Sequence, residues 1–268
     1  MVVHGGPGGS HDYLLPPSAL AKERPVVFYD QVGCGNSEQP SDTALWSISR
    51  YAEELDIVRR TLRLKPAHIL GHSWGAMLAL AFLGQFGEKN IYSLILFGPL
   101  VDTDRWLTDA KACLAQFPEE LQQQVKQAKQ SGAYDSEDYQ NAMIEFYKRH
   151  LCRLSNWPEE LTATIKKLSA PIYQYMWGPS EFTVLGTLKE ASMLPVLKTL
   201  SLPVLFTAGE YDEAAPRNIY DFQRLTKDSC VQIFTDASHN HHLEKTVGYL
   251  NVVSDFLSRI DSKHEAAE

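Results

Sequence analysis

The chain has 268 residues, 44% of them hydrophobic and 22% charged, which excludes a disordered chain, a collagen-like repeat and a disulfide mini-protein. That length suits one large domain, or one domain carrying a sizeable insertion. With 25 Lys and Arg against 33 Asp and Glu, the formal charge is -8, and a nucleic-acid partner, which needs a basic face, is not expected.

Four cysteines (Cys34, Cys113, Cys152, Cys230) lie scattered, with no CxxC and no Cys/His cluster, so neither a metal ion nor any other cofactor is expected. Sparse thiols in an acidic chain fit a reducing cytosol. The opening Met1-Val2-Val3-His4-Gly5-Gly6 lacks a basic stretch followed by an apolar one, so no signal peptide is read. No apolar run approaches the ~18 residues of a membrane span. The expectation is a cytoplasmic protein without a membrane partner and with no interface signal, a monomer being favoured.

In chain order, Met1-Val2-Val3 is a short apolar run ahead of a glycine-rich loop. Pro25-Val26-Val27-Phe28-Tyr29 predicts a buried strand. Across 49–64, Tyr51, Leu55, Val58 and Leu62 recur at helical spacing, an amphipathic helix. Residues 67–70 predict a second strand, followed by a glycine turn and a small-residue helix over 74–83. Residues 91–97 predict a third strand, and 203–207 and 231–234 repeat the pattern, each with a helix after it. Strands alternating with helices imply βαβ units and a mostly parallel sheet, an α/β fold. Between the third strand and the fourth, residues 104–195 carry no convincing strand and many aromatics. This helix-rich insertion is placed to roof the carboxyl edge of the sheet, where such sheets bind ligands. The plainer alternative is a packed subdomain with no part in catalysis. The predicted division is a core of 1–103 and 196–268 and a helical cap of 104–195.

Gly71-His72-Ser73-Trp74-Gly75 is a G-x-S-x-G pentapeptide between a strand and a helix. The bare pattern arises by chance in about one chain in ten of this length, but the strand–turn–helix context strengthens it. Such a turn is too tight for side chains two residues either side of the serine. It lifts Oγ above the sheet and aims the next N–H at a developing oxyanion. A serine alone is a weak nucleophile and needs a base and an orienting acid. In chain order the acid and base follow the serine. Asp212 sits in the loop after the fourth strand, with Asp102, after the third, as its rival. His239 follows the last strand and is the expected base. His241 and His242, facing elsewhere, are given solvated or packing roles. His4-Gly5-Gly6-Pro7-Gly8-Gly9 offers backbone N–H groups to an oxyanion. A phosphate cradle is the alternative, but the Lys-Ser/Thr and the G-x-G-x-x-G pattern are missing.

The order of these motifs resembles the proline iminopeptidases. The resemblance rests on His4-Gly5-Gly6-Pro7-Gly8, Ser10-His11-Asp12-Tyr13, Tyr29-Asp30-Gln31, Gly33-Cys34-Gly35-Asn36-Ser37, the Ser73 pentapeptide, Trp177-Gly178-Pro179-Ser180-Glu181-Phe182, Gly209-Glu210-Tyr211-Asp212-Glu213 and Ser238-His239. It spans nearly the whole chain. It implies an α/β-hydrolase with a helical cap that releases N-terminal residues, typically proline, from short peptides or amino-acid amides. It also implies an oxyanion hole from the N–H groups of Gly6 and Trp74. Glu181 and Glu213 would then hold the substrate's free α-amine. A terminal ammonium, with a reference pKa of ~7.7–8.0, is bound by a partly desolvated carboxylate at about 1.5–3 kcal/mol per charged hydrogen bond.

Two departures stand out. The family usually carries a pair of strands ahead of the HGGPG box, whereas the given sequence begins three residues before it, which implies a truncated start or a smaller sheet. Ala76 stands where relatives often have a second glycine. Amino-acid amidases and esterases share the motif set, and a decayed, non-catalytic binding protein is the alternative from another class.

Overall fold

In the computed structural model, which describes residues 1–266, five strands lie side by side in chain order: β1 (Val2–Val3), β2 (Ala67–His72), β3 (Ile91–Phe97), β4 (Val204–Gly209) and β5 (Ser229–Phe234). Every pairing is parallel. The central strands β2, β3 and β4 read as near-continuous apolar runs because helices cover both their faces.

The segment 25–29 departs from its prediction as a strand. Val27 O accepts from Val2 N at 2.9 Å and Phe28 forms a single bridge to Val2, on the side of β1 away from β2. A two-residue β1 offers too short a ladder to extend the pairing, so the segment stays a half-exposed edge. The chain thus leaves β1 to one side and returns to β2 on the other. That reversal opens a crevice between the loops that follow β1 and β2.

Helices α1 (Ile48–Thr61) and α2 (Trp74–Phe86) pack together on one face. Ser47 caps α1, its Oγ accepting from Arg50 N at 3.4 Å. The helix stops short of the predicted end because Arg63 adopts a φ of +54°. In α2, Met77, Leu78, Leu80 and Phe82 are all buried, each side chain contributing about 1.5–3 kcal/mol; an aspartate at Leu80 would place an unpaired charge in that core.

Between β3 and β4 come α3 (Thr103–Leu114), α4 (Glu119–Ser131), α5 (Glu137–Phe146), a π turn (Tyr147–Leu151), α6 (Glu159–Lys167), α7 (Ala170–Met176) and α8 (Leu194–Thr199). The entering and leaving passages pair: Thr103 N donates to Ala191 O at 3.0 Å and Met193 N to Val101 O at 2.8 Å. Inside the insertion Cys113, Phe117, Tyr139, Phe146 and Phe182 form an apolar cluster of their own. After β4 comes α9 (Pro216–Leu225), and after β5 come α10 (His241–Glu244) and α11 (Thr246–Glu265). Tyr249, Val253, Phe256 and Ile260 of α11 close the other face of the sheet. Among the described residues no helix is long and apolar enough to cross a membrane.

Candidate active site

Ser73 stands alone between β2 and α2 with φ 55° and ψ -124°, a strained conformation for a non-glycine residue. Three main-chain bonds hold it there. Its N–H donates to Phe97 O at 3.2 Å, and its carbonyl accepts from Ala76 N at 2.9 Å and Leu100 N at 3.2 Å. The flanking glycines are needed for two different reasons. A Cβ on Gly71 would come within 2.6 Å of Gly75 O, inside the turn itself. A Cβ on Gly75 would collide with Val3 O of the neighbouring strand, so that glycine lets α2 approach β1.

The structure brings Asp212, not Asp102, to His239. Asp212 Oδ1 accepts from His239 Nδ1 at 2.8 Å and from Ala214 N at 2.8 Å, with all three groups buried. Asp102 instead caps α3, its Oδ1 accepting from Arg105 N at 3.0 Å. The two loops are tied down from the insertion. His239 N donates to His150 O at 3.0 Å and Asn240 N to Leu151 O at 2.9 Å, while His150 Nδ1–H donates to Tyr211 O at 2.8 Å. His239 and Ser73 line one cavity of about 810 Å³, together with Gly6, Tyr13, Glu181 and Glu213. Among the described residues Ser73 Oγ makes no hydrogen bond; His239 Nε2 lies 3.8 Å from Glu213 Oε1.

His241 and His242 are fully buried, so the solvated alternative falls away. His241 Nε2 pairs with Thr207 Oγ1 at 2.8 Å, and His242 Nε2–H donates to Tyr13 O at 3.0 Å. Burial pushes both imidazoles down to about 3, which keeps them neutral.

In the glycine loop, Gly5 N–H donates to the Tyr13 hydroxyl at 2.8 Å. Gly6 N–H has no acceptor among the described residues, and its φ of +122° places a virtual Cβ 2.6 Å from Gly9 N. Trp74, as the first residue of α2, has an N–H with no intrahelical acceptor. Its indole donates to Gln31 Oε1 at 3.0 Å, and Gln31 Nε2 donates to His4 O at 2.9 Å, clamping the loop to the helix.

The two glutamates differ. Glu181, on the loop after α7 and half-buried, accepts from the Tyr173 hydroxyl at 2.7 Å. Burial pushes its carboxyl upward, opposed by that bond and by His239. Glu213 is fully buried, and among the described residues neither of its carboxyl oxygens has a hydrogen-bond partner. Burial, with Glu181 and Asp212 adding like charge, drives its carboxyl well above the ordinary range. Of the insertion aromatics, Tyr147, Trp157 and Tyr173 line the cavity, whereas Tyr134 and Tyr139 pack inside the insertion. Exposed Ile144, Leu154 and Ile165 rim the mouth.

A family model described as the alpha/beta hydrolase fold matches residues 1–246. The proline iminopeptidase of Heyndrickxia coagulans is 41% identical over 97% of this chain and 90% of its own length. That of Saccharolobus solfataricus is 32% identical over 98% of this chain and 85% of its own. The crystal structure of the Mycobacterium smegmatis proline iminopeptidase superposes with a TM-score of 0.90 at 34% identity, covering 100% of this chain and 90% of that one. This chain belongs to the proline iminopeptidase family of α/β hydrolases. Its parallel sheet with a helical insertion is the fold the sequence predicts.

Four further residues, to which the sequence alone assigns no individual role, shape the site. Gly98, directly after β3 with φ +50°, leaves room for the His239 ring: a Cβ there would stand 2.7 Å from His239 Nδ1 and 3.3 Å from Asp212 Oδ2. A glycine at the carboxyl end of a predicted strand was the available signal. Trp106 meets the His239 ring edge-on at 5.6 Å and donates its indole N–H to Glu181 O at 3.1 Å. Tyr13 and His72 were quoted only as members of motifs.

Proposed function

We propose that this protein is a serine aminopeptidase that releases N-terminal proline, or another small residue, from short peptides and amino-acid amides. Ser73 attacks the carbonyl carbon, and His239 takes the hydroxyl proton and returns it to the leaving amine. Asp212 holds the imidazole through Nδ1, so that Nε2 faces the reaction. The N–H groups of Gly6 and Trp74 stabilise the oxyanion, and water then releases the acyl group by the reverse sequence. The reaction requires His239 Nε2, which lies 3.8 Å from Glu213 Oε1, to come within hydrogen-bond reach of Ser73 Oγ, as such contacts tighten with substrate in place.

What carries the aminopeptidase reading is Glu213. Its fully buried carboxyl has no hydrogen-bond partner among the described residues and holds its proton above the ordinary range; a terminal ammonium of the substrate in this cavity would pair with it and let it ionise. Glu181 shares the charge. The name common to the relatives favours this reading over the amidase or esterase and over a non-catalytic protein.

We assign residues 1–103 and 196–268 to the hydrolase core and 104–195 to the cap, supported by the separate apolar cluster and the paired passages of the insertion. The mechanism calls for no cofactor and no metal ion. A cytoplasmic monomer fits the four thiols, which form no disulfide.

The deciding experiment compares prolyl, alanyl and N-acetyl-prolyl chromogenic amides at neutral pH. Preference for the free prolyl amide supports both the triad and the paired glutamates. Equal turnover of the blocked amide overturns the aminopeptidase reading and keeps the hydrolase.

A further inference from the structure

Beneath Ser73, two side chains join parts of the site that lie far apart in sequence. His72 Nε2 lies 3.1 Å from His239 O, and a carbonyl only accepts, so Nε2 carries the proton. Nδ1 is then the acceptor, and Tyr13 O–H donates to it at 2.8 Å. The Tyr13 oxygen in turn accepts from Gly5 N–H at 2.8 Å. The chain of bonds therefore has one consistent direction, from the glycine loop through Tyr13 and His72 to the main chain of the base. Both side chains are buried, and the His72 ring lies 5.2 Å from Tyr13 and 4.4 Å from His239 between centroids. Desolvation, with three neighbouring imidazoles, holds His72 well below its ordinary value, which keeps the tautomer neutral.

We propose that Tyr13 and His72 are a positioning pair for the reaction: one hydrogen-bonded bridge fixes the distance between the oxyanion loop and the base, with the nucleophile standing on the bridging residue. The inference rests on the roles proposed for Ser73, His239 and Gly6. Neither member touches the reacting atoms; each acts through a backbone group, Gly5 N–H or His239 O. Losing either bond frees both ends, so the pair acts as a unit.

The test is a double-variant cycle with Tyr13→Phe and His72→Leu, read by the rate at which a fluorophosphonate probe labels Ser73 and by kcat and KM on prolyl amides. Misplaced groups lower kcat and labelling by about 10- to 100-fold while KM moves less than about threefold. The double variant loses no more than the worse single one. His72→Gln, whose amide N–H reaches toward His239 O, labels faster than His72→Leu. Additive losses, a raised KM with kcat intact, unchanged labelling in Tyr13→Phe, or no gain from His72→Gln each overturn the proposal. Tyr13→Phe removes one oxygen atom, so the question stays answerable if His72→Leu does not fold. Labelling of wild-type Ser73 without turnover of prolyl amides sinks the aminopeptidase reading and leaves the labelling arm to decide the bridge. A wild-type Ser73 that does not label overturns the bridge with the triad.

Discussion

Across the cavity, Ser73 and Glu213 present two opposite ways of being buried. Ser73 is held by three main-chain hydrogen bonds and two close glycines in a backbone conformation it would not otherwise adopt. Glu213 is more enclosed still, yet among the described residues neither of its carboxyl oxygens has a hydrogen-bond partner. The first is a group whose position is over-determined by the fold; the second is an acid that desolvation holds in its neutral form. In the proposed reading, the first group carries the chemistry and the second the selectivity. Glu181, half-buried and bonded once by Tyr173, stands between the two extremes.

Removing the over-determined group has the largest effect. Ser73→Ala is expected to lower kcat by about 10⁴-fold or more with the fold intact, measured on prolyl amides and by circular dichroism. On the other side, Glu213→Gln should lower kcat/KM for free-amine substrates by about 10- to 100-fold, the worth of one charged hydrogen bond. N-acetylated substrates should be spared, and equal losses on both would end the contrast. Gly98→Ala tests whether the base tolerates intrusion. A methyl 2.7 Å from His239 Nδ1 should lower kcat about tenfold or more, and alanine at φ +50° should cost about 1 kcal/mol in a denaturant melt.

The smallest effect concerns stability, and its sign is opposite. Glu213 has a folded pKa raised well above the ordinary 4.5, so between those two values the folded chain binds more protons than the unfolded one. Stability therefore falls as pH rises through that window. Glu213→Gln removes the loss, and its Tm at neutral pH should exceed the wild type by about 2 °C or more. Binding of an ammonium ligand should draw a proton off Glu213, seen as buffer-dependent heats in calorimetry.

The sheet and the elbow were legible because strands buried on both faces write themselves as apolar runs, and the Ser73 turn has a spacing that chemistry demands. Residues 91–97 coincide with β3, whereas 25–29 failed because its pairing depends on the length of a partner strand, which its own residues do not encode. Both Asp212 and Asp102 follow strands at the same sheet edge, and what sets Asp212 apart in the sequence is a loop shared with Glu210 and Glu213; the contact with His239 is given by the structure. The Tyr13–His72 bridge was not, since its bonds link residues 59 and 167 positions apart. Nor could the cavity aromatics be chosen, because Tyr139 and Tyr147 both pack against the insertion's own apolar cluster and, of the two, Tyr147 alone also lines the cavity.

The π turn at Tyr147–Leu151 has a mechanical consequence. Its carbonyls receive the N–H groups of His239 and Asn240, and its His150 grips Tyr211 beside the acid. Moving this turn as a rigid unit would either break those bonds or pull the Asp212 and His239 loops along with it. Beside that turn, the cavity that Ser73 and His239 share is also lined by Ile144, Leu154 and Ile165, whose side chains are exposed.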